Sequence, residues 1–477
     1  MKLDNKTVNS CPHAKKCSGC QLQNLSYAQQ LRLKQAKLVG LLGRFCHVNE
    51  IIKMKEPLHY RGKVQAAFGA KNGRVISGVY QSASQRIVEV DSCMLDDQTA
   101  DAIAVTVRKL CPNFKIRPYD LRTGRGYLRH VLIRRGFFSG EVMVVLVTAE
   151  GEFPRSRPFV NELVRRHPEI TTVVHNINDT DTALMLGAHS EVLYGDGYIT
   201  DKLCGLRFRI SPKSFYQVNP VQAQLLYEKA KEYAALTGKE RLIDAYCGTG
   251  TIGLIMSDAA KEVIGVEANR DAVEDAKANA EYNGIKNARF IAADAGELMS
   301  EIAQSGEHVD VVVTDPPRAG CSRRFLQSLI TLAPDRMVYV SCNPETLARD
   351  LYTLRRGGYR IKKIQPVDMF PYTNHVETVC LLSKLNAKQH IEINLDMDEL
   401  DLTDAEKKAT YQEIKDYVLE HSGLKVSSLY IAQVKQKCGI IKRENYNKPK
   451  SEDAKQPGCP PDKEKAIKEA LQHFGMI

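Results

Sequence analysis

Between about residue 205 and residue 386, short apolar runs of strand length alternate with helical stretches, and this alternation constrains the fold more than any other feature. The runs are Arg241-Leu242-Ile243-Asp244, Glu262-Val263-Ile264-Gly265-Val266-Glu267, Val309-Asp310-Val311-Val312-Val313-Thr314 and Met337-Val338-Tyr339-Val340-Ser341. Strands that read as near-continuous apolar runs are buried on both faces, which a β-α-β-α order achieves in a doubly wound, mostly parallel sheet. Ligands of such sheets sit at the carboxyl ends of the strands. The search for chemistry therefore begins at the residues just after each run.

At 477 residues the chain is too long for one ordinary core. Residues 1–50 hold a cysteine cluster and a helical stretch, Leu25 to Leu42. Residues 51–204 read as a β-rich, α+β central domain, with strands such as Lys63 to Phe68, Gly78 to Tyr80 and Glu141 to Val147. Residues 205–386 are the α/β domain. Residues 387–404 read as an acidic linker, and residues 405–477 as a small α-helical extension broken by a polar, proline-bearing stretch from Asn445 to Asp462.

Hydrophobic residues at 43% and charged residues at 26% mark a soluble globular composition, and no run reaches the roughly 20 apolar residues of a bilayer span. The first residues lack the apolar core of a signal peptide. A cytoplasmic protein is expected, with a monomer as the default. In that compartment 13 cysteines read as metal ligands, nucleophiles and small core residues rather than disulfides. The net charge of +10 favours a polyanionic partner such as RNA, although many basic proteins bind none.

The turn after the first run, Ala245-Tyr246-Cys247-Gly248-Thr249-Gly250-Thr251, joins strand to helix through two glycines that let backbone approach a ligand. Gly248, Gly250 and Gly253 also satisfy the G-x-G-x-x-G spacing of a dinucleotide site. The acidic lead-in, Asp244, opposes a pyrophosphate and suits the cationic S-adenosylmethionine. Glu267 ends the second strand, where a carboxylate can accept both ribose hydroxyls. Asp294 follows the third strand, placed to meet an adenine amine.

Asp315-Pro316-Pro317-Arg318 follows the fourth run as a rigid turn carrying a carboxylate. In amino-group N-methyltransferases an aromatic residue ends the matching turn; Arg318 and Ala319 stand here instead, which weakens that alternative. The next strand ends in Ser341-Cys342-Asn343-Pro344. A polar turn is poor core material, so Cys342 reads as a nucleophile, its thiol lowered by nearby helix dipoles. Cys380, within an apolar strand, reads as core. Glu377 precedes the last strand and is a candidate general base. His375 is a second candidate and equally a structural hydrogen-bonder. A thiol and a carboxylate are what C5-methylation of uracil requires: addition at C6 gives C5 carbanion character, and the C5 proton must afterwards leave.

Cys11, Cys17 and Cys20 are spaced to hold a metal with one distant partner. Cys93 is the first candidate for that partner, with Cys46 and Cys111 as rivals. Spacing does not separate a [4Fe–4S] cluster from zinc.

Taken in order, the cysteine cluster, Tyr60-Arg61-Gly62-Lys63-Val64, Leu128-Arg129-His130-Val131, Ser214-Phe215-Tyr216-Gln217-Val218-Asn219, the glycine turn, Asp-Pro-Pro-Arg, Ser-Cys-Asn-Pro and His375-Val376-Glu377 resemble the RNA uracil-5-methyltransferase family. That family includes bacterial 23S rRNA and tRNA enzymes, and the resemblance runs from about Cys11 to Lys384. It implies a class I, Rossmann-like methyltransferase domain, Cys342 as nucleophile and Glu377 as base. It implies S-adenosylmethionine contacts from Gln217, Tyr246, Glu267, Asp294 and Asp315. It also implies a [4Fe–4S] cluster on Cys11, Cys17, Cys20 and Cys93, which favours 23S rRNA over tRNA as substrate. The chain departs from the family in having only ten residues before Cys11, where many members carry an oligonucleotide-binding barrel, and in its C-terminal extension. Lys435, Lys437, Lys442, Arg443 and Lys448 around Tyr430 and Tyr446 are candidate RNA contacts, with a solvated face or protein-contact module equally open. Arg122, Arg125, Arg129, Arg134 and Arg135 are further candidate phosphate contacts.

Overall fold

The computed structural model describes residues 11–81, 84, 86–149, 151, 153, 155–179, 185–385, 411–438 and 459–474. The acidic linker, most of the stretch from Asn445 to Asp462, and Lys442, Arg443, Tyr446 and Lys448 lie outside the described residues. The chain divides into two compact units, Met1–Ala387 and Lys388–Ile477.

The first unit opens with helix α1 (Tyr27–Leu42), started by a capping box in which Ser26 and Gln29 exchange hydrogen bonds. Its buried positions are Gln30, Lys34, Leu38 and Leu42. That is one stripe at four-residue spacing, and it runs through a lysine.

The central sheet follows. Its strands are β1 (Lys63–Lys71), β2 (Arg74–Tyr80), β3 (Ile87–Glu89), β4 (Leu128–Arg135), β5 (Val142–Thr148), β6 (Ile170–Ile177) and β7 (His189–Tyr194), in the order β3-β2-β1-β4-β5-β6-β7. Only β5 and β6 pair in parallel, as the crossover helix α3 (Ser156–Arg166) between them requires. Helices α2 (Gln98–Leu110) and α3 cover one face around Ile103, Val107, Phe159 and Leu163. A two-stranded hairpin, β8 (Ile199–Leu203) and β9 (Leu206–Ile210), leads out of this domain.

After α4 (Pro220–Ala234) comes the second sheet: β10 (Arg241–Ala245), β11 (Glu262–Glu267), β12 (Ala288–Ala292), β13 (Val311–Thr314), β14 (Arg336–Ser341), β15 (Tyr359–Val367) and β16 (Glu377–Lys384). The helices between them are α5 (Thr251–Met256), α6 (Arg270–Tyr282), α7 (Ala295–Ser305), α8 (Arg323–Leu332) and α9 (Pro344–Arg356). The sheet order is β12-β11-β10-β13-β14-β16-β15. The first five are parallel, whereas β16 inserts antiparallel between β14 and β15. This reversal was not legible in the run of apolar segments, and it matters: Ser341 pairs with Thr378, so the residue after β14 and the residue that starts β16 face one another.

Residues 27–52 pack on this second sheet rather than on the central one. Leu38, Leu42, Val48 and Ile51 join its core, and Val48 and Ile52 bridge in parallel to Ile364 and Val367 on the edge strand β15.

The second unit contains α10 (Tyr411–Ser422), α11 (Ser428–Lys437) and α12 (Pro461–His473) around Ile414, Val418, Ile431, Val434, Ile467 and Leu471. Lys435 is buried and does not fit the open RNA contact expected of it, whereas Lys437 is exposed and pairs with Glu464. No helix among the described residues is long and apolar enough to cross a membrane.

Candidate active site

The ends of β10, β11, β13, β14 and β16 meet at one edge of the second sheet. Gly248 adopts φ +55°, and a Cβ there would meet no protein atom, so the turn after β10 is open on its ligand side. Behind it, the Gly253 N–H donates to Asp244 Oδ2 at 2.7 Å, tying α5 to its strand. Glu267 is held from both sides, accepting from Gly248 N at 3.1 Å and Asn269 N at 2.9 Å. A carboxylate has about four acceptor directions, so capacity remains for ribose hydroxyls. A cavity of about 480 Å³ adjoins Gly248 and Glu267, with Phe215 on its wall. Phe215 is 64% exposed. Tyr246 takes a left-handed backbone at φ +61° and packs against Phe325. Asp294 caps α7 through Glu297 N and stays exposed.

Asp244, which the acidic lead-in suggested as a feature of the cofactor face, is wholly buried. Burial is the main reason its carboxyl is pushed up to about 7, with Asp315 and Glu267 adding to it. Its Oδ1 has no hydrogen-bond partner, nor does the buried Thr314 Oγ1 one strand away. Orphaned acceptors beside an open glycine turn fit a cationic, hydroxyl-bearing ligand, which is what S-adenosylmethionine is.

Gln217 is almost fully buried and bonds to Tyr227 of α4. Tyr227 faces Asp315, Glu377 and Asp244 as well, and burial raises its phenol well above the usual range. Nothing in the sequence pattern distinguished this tyrosine from core. The contact appears only when α4 lies across the strand ends.

The register of β14 on β16 brings Cys342 opposite Glu377. Burial lifts the Cys342 thiol to about 11, with Glu377 and Asp315 reinforcing the shift and Arg318 opposing it. The expected lowering by helix dipoles does not occur, because desolvation and two carboxylates outweigh the start of α9, whose Glu345 N–H is already capped by Asn343. Glu377 is 4% exposed, and burial beside Asp315 holds both carboxyls above the normal range. Two such neighbours share a proton near neutral pH. A second cavity, about 230 Å³, is lined by Lys37, Arg318, Cys342, Asn343, Glu345 and His375 among others. Burial and Arg318 hold His375 below its usual pKa, so it faces the Arg318 guanidinium as a neutral ring, 3.4 Å away.

The loop from Asp368 to Val376 that delivers His375 and Glu377 is held by the N-terminal segment. Lys34 pairs with Asp368 at 2.5 Å, both groups being buried, and also donates to Phe370 O. Tyr27 donates to the other Asp368 oxygen at 2.8 Å. Gln30 accepts from Tyr372 N, and Leu22 N donates to Tyr372 O. Lys34 stands at the four-residue spacing of Leu38 and Leu42 on α1, and nothing in its own helix marks it as the partner of Asp368.

Cys11 and Cys17 lie close enough to Cys20 to act on its thiol, and Cys20 and Cys93 pack against the same small cluster of Met54, Tyr60 and Leu95. All four are free and half-buried. Of the rivals, Cys111 is sealed in the central core and Cys46 lies by Cys380. Among the arginines, Arg129 and Arg134 are buried and donate to Asn178 O and Ser214 O, and Arg135 pairs with Asp97. These three are therefore structural rather than open phosphate contacts. Arg122 and Arg125 are exposed.

A seven-stranded sheet of this order with its last strand reversed, and a cofactor turn beside a thiol–carboxylate pocket, defines a class I, S-adenosylmethionine-dependent methyltransferase. The family model tRNA (uracil-5-)-methyltransferase matches residues 188–385. An RNA methyltransferase of Oceanobacillus iheyensis is 45% identical over 373 residues, 77% of this chain and 81% of the relative. One from Clostridium tetani is 41% identical over 389 residues, 81% and 85% of the two chains. The solved tRNA (uracil-54, C5)-methyltransferase of Pyrococcus abyssi, in complex with S-adenosyl-L-homocysteine, is 31% identical with a TM-score of 0.65, covering 79% of this chain and 88% of its own. The chain belongs to the RNA (uracil-5-)-methyltransferase family.

Proposed function

We propose that this enzyme methylates C5 of a specific uridine in 23S rRNA, with Cys342 adding to C6 of the base and Glu377 removing the C5 proton. The observation that carries the reading is the antiparallel register of β14 on β16, which sets Cys342, a lining residue of the smaller cavity, against the buried Glu377. Gln217, Tyr246, Glu267, Asp294 and Asp315 hold S-adenosylmethionine, which supplies an electrophilic methyl group. Before that cation arrives, the thiol is protonated and Asp315 and Glu377 share a proton. Positive charge beside them favours both the thiolate and the carboxylates, so their protons pass to solvent through the cavity that Cys342 lines and the nucleophile is freed when the site is loaded. Arg318 stabilises the same thiolate and the developing enolate oxygen. After methyl transfer Glu377, then ionised, accepts the C5 proton, and the thiolate leaves C6.

Cys11, Cys17, Cys20 and Cys93 fit a [4Fe–4S] cluster by donor type and by shared location, and that set is what favours rRNA. The cluster would fasten the segment that grips the Asp368–Val376 loop. A tRNA substrate is the second reading, favoured by likeness to the Pyrococcus abyssi tRNA enzyme.

The test is tritium release from RNA labelled at uracil C5, using separate rRNA and tRNA pools from cells lacking the enzyme and protein purified without oxygen. Release from rRNA that disappears in Cys342→Ala supports both mechanism and substrate. Release from tRNA alone keeps the mechanism and overturns the substrate. No release from either pool overturns the mechanism. Iron and sulfide analysis of the same preparation, with Cys93→Ser alongside, tests the cluster.

A further inference from the structure

The turn between β4 and β5 holds two phenylalanines in water. Phe137 and Phe138 are 45% and 47% exposed, with rings edge to face at 5.1 Å. A tight turn has no packing need for such residues, and loop tips are ordinarily polar. The backbone beneath them is fixed by a carboxylate that is itself 1% exposed: Asp201 accepts from Phe137 N at 3.0 Å, Phe138 N at 2.9 Å and Ser139 N at 3.1 Å. Glu141 and Ser139 then lace the turn to Thr200 of β8. None of these bonds uses a phenyl ring. The scaffold is rigid and the rings are left over.

Two further observations say what the rings meet. Tyr216 donates to Asp201 at 3.4 Å, and Gly62 N donates to Val218 O at 2.8 Å while Arg135 N donates to Gly62 O. The turn is thereby tied to the Phe215-Tyr216-Gln217-Val218 segment that walls the cofactor cavity. In addition, the β8–β9 register puts Lys202 beside Arg207 and Thr200 beside Arg209 on the outer face of the adjoining hairpin. All three cations are exposed, and the carboxylate bonded to that face, Glu141, is taken up by Thr200 N and Oγ1. Arg209 is stiffened over the Tyr198 ring at 3.9 Å.

We infer that Phe137 and Phe138 form a stacking platform for an unpaired nucleotide flanking the target uridine, with Lys202, Arg207 and Arg209 taking the adjoining phosphates. Aromatic faces beside clustered cations are how single-stranded RNA is held without base-pair readout. Three exposed cations against one engaged carboxylate leave the face net positive, which suits phosphates better than a protein-docking patch of mixed charge. The inference rests on the reading of the chain as an RNA methyltransferase, and it supplies a grip on the catalytic unit itself.

The test compares wild type with Phe137→Ser/Phe138→Ser and with Lys202→Ala/Arg207→Ala. The probes are fluorescein-labelled oligouridylate, for anisotropy across a salt series, and C5-tritiated RNA from cells lacking the enzyme. The phenylalanine variant is expected to weaken oligouridylate binding and raise the KM for RNA by roughly 5- to 150-fold, the range for losing one base stack. Its kcat, S-adenosylmethionine affinity and melting temperature stay those of wild type. The lysine–arginine variant lowers the slope of log affinity against log salt by about 1.4, two single-strand phosphate contacts. Unchanged binding and KM in the phenylalanine variant overturn the platform, and so does a variant that binds RNA normally but no longer retains a protein bound by wild type. If wild type releases no tritium from any pool, the functional reading fails, while oligouridylate anisotropy still decides the platform.

Discussion

The two halves of the active site are built in opposite ways. The cofactor side is local: Tyr246, Gly248, Gly250 and Gly253 are one stretch of chain, and Glu267 reaches back to it from the next strand through a single bond to Gly248 N. The pocket around Cys342 is assembled from afar, with Lys37 from α1, Arg318 after β13, Cys342 after β14 and His375 before β16. Backbone geometry makes the first half. Charge makes the second, since two carboxylates, the exposed Arg318 guanidinium and a buried lysine pair set its protonation and its loop. The difference teaches where each half is vulnerable. The cofactor turn answers mainly to changes within it and in Glu267, whereas the pocket fails to substitutions tens to hundreds of residues away.

Four changes break or sharpen that contrast. Glu377→Gln removes the proposed proton acceptor and is expected to lower kcat by roughly 100- to 10,000-fold, the usual range for a general base. S-adenosylmethionine binding, measured by calorimetry, stays near wild type, and a covalent RNA adduct accumulates on gels. Equal loss of cofactor binding would show that the two halves are not separable. Lys34→Met leaves Asp368 buried without its cation and lowers unfolding free energy by roughly 3–5 kcal/mol, read from urea melts. Lys37→Met, on the same helix but in an exposed pair with Glu345, serves as control and moves the melt little.

Alkylation of Cys342 by iodoacetamide sharpens the electrostatic half. A thiol pushed up to about 11 is almost all protonated at pH 7, so the rate climbs about tenfold per pH unit between pH 7 and 10. Arg318→Gln removes the opposing cation and slows alkylation further at every pH in that window; S-adenosyl-L-homocysteine, lacking the sulfonium charge, does not speed it. A plateau already at pH 8 would contradict the charge balance. The smallest effect is expected from Gly253→Ala, whose Cβ would stand 2.9 Å from Asp244 Oδ2. A melting temperature lowered by a few degrees, with kcat kept, would place Asp244 in the scaffold of the turn.

What the sequence revealed follows the same division. The parallel strands, the glycine turn and Glu267 are periodic or contiguous and were legible as such. The reversal of β16 was not, because an apolar run carries no direction, and with it went the pairing of Cys342 against Glu377. Lys34 and Tyr227 were invisible for a related reason: each is at home by type in an ordinary helix, and only the tertiary partner, Asp368 or Gln217, shows its role. Arg129 and Arg134 misled in the reverse sense, being cations that the strand buries against backbone carbonyls. Burial also decided the Cys342 thiol, whose direction of shift depends on neighbours brought by two other strands.

The most direct test of the account is a trapping experiment with RNA containing 5-fluorouridine at target positions. Fluorine at C5 cannot leave as a proton, so an enzyme that adds a thiolate to C6 and methylates C5 remains bound. The account predicts a methylated adduct stable to denaturation, formed only with S-adenosylmethionine and mapped by peptide mass spectrometry to Cys342. Full methylation of unsubstituted RNA by Cys342→Ala, or an adduct mapped to another residue, would contradict it.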